Sequence, residues 1–179
     1  MRKIIYHVAS TLDGYIAHKD GTTQGFLEEG EHVSDYLESL KEYDTVIMGR
    51  HTYEYGYNYG LNPGQPAYPH MMHYIFSSSL HFAQPNEQVQ VVSDNPINFL
   101  AELKETVGSP IYLCGGGQFA GFLLGHKLID EVKVKLNPVL FGEGIKLFEG
   151  CEETYRLREL NSIAYEGGVF LLNYEIDYL

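Results

Sequence analysis

The chain has 179 residues, a formal net charge of −12, and 44% hydrophobic against 20% charged residues. That length suits one domain, residues 1–179, with a real core, and the balance is the ordinary one of a soluble globular protein. The acidity argues against a nucleic-acid partner, which needs a basic footprint; no run approaches the ~20 apolar residues of a membrane span. The strand-like start after Met1-Arg2-Lys3 is too short for a signal peptide, so a cytoplasmic protein is expected.

Lys3 to Ala9 reads as a first buried strand, followed by a turn at Asp13-Gly14 and a loop at Asp20–Gly25. Glu31 to Lys41 reads as an amphipathic helix whose stripe of Val33, Tyr36, Leu37 and Leu40 should face the core. Thr45 to Met48 is a second buried strand, and a short helix opens at Gly49-Arg50-His51-Thr52. Gly56 to Pro69, rich in Gly, Pro, Asn and Tyr, is expected to be a long irregular loop of the kind that forms rims or lids. Strands follow at Met72–Phe76, ending in Ser77-Ser78-Ser79, and at Val89–Val92. A helix through Ile97, Leu100, Leu103 and Val107 has Asp94 or Asn95 available as its cap.

Ile111 to Cys114 is a short apolar run that enters Gly115-Gly116-Gly117, after which Phe119, Phe122 and Leu123 recur at helical spacing. Strand, glycine triplet and helix in that order aim backbone N–H groups and a positive helix end at whatever lies beyond the strand, most often a phosphate. The competing reading is a tight turn that only packs a helix on a sheet. A further strand spans Glu131–Leu136. Arg156–Tyr165 and Val169–Tyr178, joined at Glu166-Gly167-Gly168, read as a β-hairpin. Strands alternating with helices and then an antiparallel pair give an α/β fold, a mixed sheet covered on both sides.

Three strand ends therefore carry glycine, hydroxyl or arginine groups: Gly49-Arg50-His51-Thr52, Ser77-Ser78-Ser79 and Gly115-Gly116-Gly117. In a parallel sheet such ends share one edge, where ligands bind. Together they describe a nucleotide cradle, with N–H groups for a pyrophosphate and arginine and serine for a further phosphate. Gly115–Ala120 also fits G-x-G-x-x-A, but it comes late in the chain and the next strand ends at Asn137-Pro138 without an acid for the ribose, so a Rossmann fold is rejected. Asp13 could orient substrate hydroxyls or relay a proton, or only cap its own turn; Glu143 could do the same or be solvated, and Thr11 is a candidate substrate contact. His70 and His73 lack the supporting ligands of a metal site, so no metal is expected. Cys114, inside its apolar strand, reads as a small buried hydrophobe, and two cysteines make no disulfide framework.

Thr11–Ala17, Val46–Glu54, the glycine triplet with Gln118-Phe119, and Leu128–Val132 with Pro138–Gly144 resemble the dihydrofolate reductase superfamily. Within it, the chain is most similar to the C-terminal reductase domain of bifunctional riboflavin-biosynthesis proteins. The resemblance covers nearly the whole chain. It implies a dihydrofolate reductase-like fold, with a central mixed, mostly parallel sheet flanked by helices in three layers and a C-terminal antiparallel hairpin, often paired into homodimers. It implies an NADPH-dependent reductase acting on a small-molecule substrate, most like 5-amino-6-(5-phosphoribosylamino)uracil reductase. The family's cofactor positions carry over to Ala9, Gly49, Arg50, Thr52, Ser77, Ser78, Gly115, Gly116, Gly117 and Gln118. Folate reductases place an acid on the first helix where this chain has Val33, and a tryptophan where it has Phe26. A dihydrofolate or pterin reductase is therefore the alternative, beside a non-catalytic nucleotide-binding homologue and a dimer whose glycines only shape the fold.

Overall fold

The computed structural model describes residues 1–178. Ten strands and four helices follow the chain as β1 (Ile4–Thr11), β2 (Tyr15–Ala17), α1 (Glu31–Ser39), β3 (Thr45–Gly49), α2 (Arg50–Tyr55), β4 (Met72–Phe76), β5 (Val89–Val92), α3 (Pro96–Glu105), β6 (Ile111–Gly115), α4 (Gly117–Gly125), β7 (Glu131–Asn137), β8 (Ile145–Lys146), β9 (Arg156–Ala164) and β10 (Phe170–Asp177). Eight strands form one sheet in the order β5-β4-β3-β6-β1-β7-β10-β9, and β2 pairs with β8 in a small antiparallel sheet. From β5 to β7 every pairing is parallel; β10 runs antiparallel to β7 and to β9.

Side chains alternate across this sheet with the two-residue period of a strand. Ile4, Tyr6, Ile47, Ile111, Leu113, Val132 and Val134 pack on one face beneath Leu100 and Leu103 of α3 and Ala120, Leu123 and Leu124 of α4. Val46, Met48, Ile75 and Tyr112 point the other way, against Leu40, Tyr53 and Met71. Truncating a fully buried residue such as Leu113 to alanine costs about 2–5 kcal/mol. Arg2 staples the floor of the sheet: its buried guanidinium pairs with Asp44 and donates to the Thr45 hydroxyl and the Ser109 carbonyl. The pair is buried on the arginine side only, since the Asp44 side chain is 49% exposed, so solvent screens it and its loss costs less than that of a fully buried pair.

Two glycines of α4 are required by packing. A Cβ on Gly121 would stand 1.8 Å from the Glu149 carbonyl oxygen, and one on Gly117 would stand 2.1 Å from that of Lys146. Segment 146–149 thus lies directly on the backbone of α4.

The structure corrects the sequence expectations in four places. The stripe on α1 is a core stripe only in part: Leu40 is buried and Tyr36 packs against the core, but Leu37 is 57% exposed, and Val33, Tyr36 and Leu37 line an open cleft. The buried residue of that helix is His32, because the helix stands off the sheet and a ligand-sized space intervenes. Val107 lies beyond the end of α3, fully exposed, and Asn95 occupies the cap position without a side-chain capping bond. The Gly56–Pro69 segment begins with a 3-10 turn over Gly56–Tyr59 and is docked, with the Tyr53 hydroxyl donating to the Gln65 carbonyl and Leu61 and Tyr68 packed on the core. The short β2–β8 pair had no clear periodicity to announce it.

Candidate functional site: a cleft split between two faces of the sheet

β1 and β6 pair only over Ile4–Tyr6 and Ile111–Leu113, whereas β1 stays paired with β7 from Ile5 to Thr11. Past Tyr6 the two central strands part, and a cleft of about 1550 Å³ opens above the gap. A single small ligand needs ~300–1,000 Å³. The space therefore accommodates two molecules side by side.

One half lies over the carboxyl ends of β4, β3 and β6, which are adjacent and parallel. Gly49, Arg50, Thr52, Ser77, Ser78, Gly115, Gly116, Gly117 and Gln118 line it together, and Ala9 of β1 closes it. All ten residues singled out for a cofactor are thus brought to one cleft. Past its parting from β6, β1 is paired along one edge only, so backbone groups around Val8 and Ala9 face the opening.

The glycine triplet divides by role. Gly115 has φ +136, which side-chain-bearing residues rarely adopt, and Gly117 is required by the contact with Lys146. Gly116 has an ordinary φ of −94, and its added Cβ would meet only the Thr52 hydroxyl, at 3.3 Å. Its bare Cα is the one the fold does not demand, and it lines the cleft. The peptide between Gly115 and Gly116 is cis. Just beyond, the first N–H groups of α4 have no intrahelical acceptors and carry the positive end of the helix dipole.

Arg50 donates through Nε to Glu54 at 2.8 Å and through Nη1 to the Ser79 hydroxyl at 3.0 Å. Its Nη2 has no hydrogen-bond partner among the described residues, and Arg50 lines the cleft with exposed Ser78. Ser77 is engaged structurally, its hydroxyl accepting from the N–H groups of Ser79 and Leu80. Ser79, not Ser77, is the hydroxyl in contact with the arginine.

The other half lies beneath α1, over the face of β1, β7 and β10. His7, Lys133, Lys135, Leu171 and, from above, His32 and Tyr36 line it. At its floor the Tyr36 and Tyr112 hydroxyls are 2.9 Å apart, and the Tyr68 hydroxyl is 3.7 Å from the Cys114 sulfur. Burial pushes the Cys114 thiol above its ordinary value, which keeps it protonated and a poor nucleophile. Burial likewise raises the Tyr36 and Tyr112 hydroxyls, so they serve as neutral donors and acceptors. His7 is driven down to about 3, by burial first and then by the charge of Lys133, and is a neutral imidazole at pH 7.

Thr11, Asp13 and Glu143 are not brought into the cleft. The Asp13 carboxylate accepts from the Thr11 hydroxyl and from the N–H groups of Phe141 and Gly142, so its oxygens are consumed in clasping the 139–144 loop. Glu143 is exposed and pairs with Lys19 on the surface. His73 is buried with both nitrogens occupied, by the Met71 carbonyl and the Tyr68 N–H, and His70 bonds the Leu40 carbonyl. Among the described residues no cluster suited to a metal occurs. No helix among the described residues is long and apolar enough to cross a membrane.

Residues 2–171 match the RibD C-terminal domain family. Bacillus subtilis YwjB is 33% identical over 160 residues, spanning 88% of each chain. A solved structure from Shewanella sp. PV-4, described as a riboflavin biosynthesis protein, superposes with a TM-score of 0.81 at 22% identity over 99% of this chain and all of that one. Dihydrofolate reductase from Enterococcus faecalis, in complex with NADP(H), superposes at 0.63 with 16% identity over 97% of this chain and 94% of the other. The fold is that of the dihydrofolate reductases, a mostly parallel sheet between helical layers. The chain belongs to the RibD C-terminal domain family.

Proposed function

We propose that the protein is an NADPH-dependent reductase that delivers a hydride to a small heterocyclic or sugar-linked substrate, most like 5-amino-6-(5-phosphoribosylamino)uracil reductase, and that it works in the cytoplasm as a homodimer. The observation that carries the reading is the convergence of Arg50, Ser78, Gly116 and the amino end of α4 on one trough. Their chemistry fits the cofactor: helix N–H groups and a bare glycine backbone for a pyrophosphate, and an arginine edge with serine hydroxyls for a 2′-phosphate. NADPH, when bound, supplies the hydride. The chain's own contribution is placement. The open backbone edge of β1 at Val8 and Ala9 offers N–H and C=O groups to a ring amide, and the adjacent half-cleft under α1 holds the acceptor beside it. Val33, an apolar side chain lining the cleft where folate reductases carry an acid, favours a non-folate substrate.

The dimer reading is supported by β9, an edge strand exposed along its whole length, where Leu157, Leu160 and Ile163, with Phe170 of β10, are 39–50% exposed. A monomeric mass by light scattering removes that part of the reading.

Titrating NADPH and NADH while following nicotinamide fluorescence tests the cofactor. Saturable NADPH binding, tighter than NADH, is expected; no saturable binding by either overturns the proposal. Loss of 340 nm absorbance on adding the phosphoribosylamino-pyrimidine, against dihydrofolate, then separates the two substrate classes. Binding without turnover on either would leave a non-catalytic nucleotide-binding protein.

A further inference from the structure

A buried tyrosine hydroxyl normally ends on a fixed acceptor. Three in this chain do so: Tyr6 donates to the Leu147 carbonyl, Tyr53 to that of Gln65 and Tyr178 to that of Ile129. One group behaves otherwise. The Tyr36 and Tyr112 hydroxyls bond each other at 2.9 Å, and the Tyr68 hydroxyl meets the Cys114 sulfur at 3.7 Å. Among the described residues none of these four groups is bonded to a carbonyl, a carboxylate or an amide. In a pair of hydroxyls either oxygen can be the donor, so one O–H is always left for another acceptor. With no backbone group to fix it, that O–H is free to turn toward an acceptor brought into the cleft, which all four side chains line.

The position of the pair gives this its meaning. Tyr112 and Cys114 are two residues apart on β6 and share a face, and Gly115, where the glycine cradle begins, follows Cys114 directly. Tyr36 comes from α1, its ring 5.1 Å from that of His7 on β1. The pair therefore stands at the seam between the two halves of the cleft, where a hydride would cross. Tyr36 is half-buried and Tyr112 only 2% exposed, which makes Tyr36 the outer member. The inner one is braced by Tyr43, stacked on it at 5.3 Å, and by Tyr68, edge-on at 5.8 Å. Other protic side chains of the cleft are spent or stand elsewhere. Asp35 already accepts from the Tyr165 hydroxyl at 2.8 Å. His7 and His32 are neutral at pH 7, each pulled down by burial first and then by a nearby lysine. Lys133 and Lys135 belong to β7, which β1 separates from β6.

We infer that Tyr36 is a catalytic residue of the reduction, its hydroxyl giving the proton that the reduced heteroatom requires, while Tyr112 steadies the oxygen left behind; the inference rests on the reductase reading above. The hydride adds to the carbon of a C=O or C=N bond, whose π electron pair moves onto the oxygen or nitrogen. That atom, more basic than a phenolate, takes the Tyr36 proton, and the electrons of the broken O–H bond stay on the phenolic oxygen. Tyr112 donates to this phenolate along the existing 2.9 Å bond, and water returns the proton once the product leaves. Burial keeps both phenols protonated beforehand.

Tyr36→Phe and Tyr112→Phe keep the rings and remove one oxygen each. In the first arm uracil, a neutral ring with carbonyl acceptors, is titrated without cofactor onto the full chain isotope-labelled at tyrosine Cζ. The Tyr36 and Tyr112 resonances are expected to shift saturably with uracil and not with benzene, which offers no acceptor. In the second arm NADPH is oxidised by the phosphoribosylamino-pyrimidine or by dihydrofolate, whichever is turned over. Tyr36→Phe is expected to lower kcat roughly 100-fold or more and Tyr112→Phe about tenfold, with KM and NADPH affinity within about threefold of the wild type. Uracil that leaves both resonances unmoved, or a Tyr36→Phe protein that turns over at the wild-type rate, overturns the inference. NADPH titrations of the same samples separate it from the reading beneath it. Undiminished turnover in Tyr36→Phe sinks the proton donor and leaves the reductase standing. Absence of NADPH binding sinks the reductase and the proton step together, and bound NADPH without turnover of either substrate overturns the proton step.

Discussion

The guanidinium of Arg50 reaches the hydroxyl of Ser79 at 3.0 Å, and that single bond ties the end of β3 to the loop after β4. The arginine is thereby held through Nε and Nη1, to Glu54 and Ser79, while its Nη2 has no partner among the described residues. A planar donor fixed in this way loses little rotational freedom on meeting a phosphate. Arg50→Ala is expected to lower NADPH affinity about 10–100-fold, the equivalent of one charge-assisted bond of ~1.5–3 kcal/mol, and to leave NADH affinity nearly unchanged. Equal losses for both nucleotides would assign Arg50 to the pyrophosphate instead of the 2′-phosphate.

The glycines at the start of α4 allow packing and binding to be separated. Gly121→Ala drives a methyl group onto the Glu149 carbonyl oxygen, 1.8 Å from the ideal Cβ, and is expected to cost about 1–3 kcal/mol or more in stability. Gly116→Ala meets only a hydroxyl at 3.3 Å, so its melting temperature should stay within a few degrees, about 1 kcal/mol, while NADPH binding falls at least tenfold. A stable Gly116→Ala protein that binds NADPH normally would reduce the triplet to a turn.

Much of this architecture is legible in the order of residues. Apolar runs ending in Gly49, Ser77 and Gly115 announce parallel strands whose ends must lie together, and the sheet order sets β4, β3 and β6 side by side. The substrate half is harder to read because its signals resemble those of a core. Val33, Tyr36 and Leu37 keep helical periodicity whether a helix packs on a sheet or overhangs a cavity; periodicity reports one apolar face, not what fills the space against it. One clue was present. In Glu131-Val132-Lys133-Val134-Lys135, lysines alternate with valines on a strand that has neighbours on both sides, so one face of the central sheet is cationic. His7 gave no such signal, since its burial depends on α1, 25 residues downstream in sequence at His32.

Acid should destabilise the fold before the carboxylates titrate. His73 is held neutral, its value pulled down to about 4 chiefly by burial, with the Tyr68 N–H donating to its Nε2 at 3.1 Å. In the unfolded chain a histidine takes up a proton near pH 6.5. Between those values the unfolded state binds more protons than the folded one, so stability is full above about pH 6.5 and falls as the pH drops toward 4. His7, driven to about 3, adds to the same slope. His73→Gln, whose amide can both donate and accept, is expected to flatten the fall of melting temperature between pH 6.5 and 4 by a measurable fraction. An unchanged slope would mean that protonated His73 is tolerated in the fold.

Asp13 tests the opposite sign. The Thr11 hydroxyl, followed by the Gly142 and Phe141 N–H groups, holds its carboxyl below the usual range. A carboxylate with a depressed folded value contributes fully above its unfolded value, about 3.9, and loses that contribution as the pH falls through the lower folded one. Amide exchange should therefore show Phe141 and Gly142 protected from neutral pH down to about 3.9, with protection failing below it. Asp13→Asn, left with one oxygen to serve two N–H groups, is expected to lose that protection at every pH. The loop it clasps leads through Gly144 into β8, whose Ile145 lines the cleft, so the variant should also loosen NADPH or substrate binding. If the two amides exchange equally in wild type and variant, the clasp does not order the loop, and Asp13 is free for a role in the chemistry.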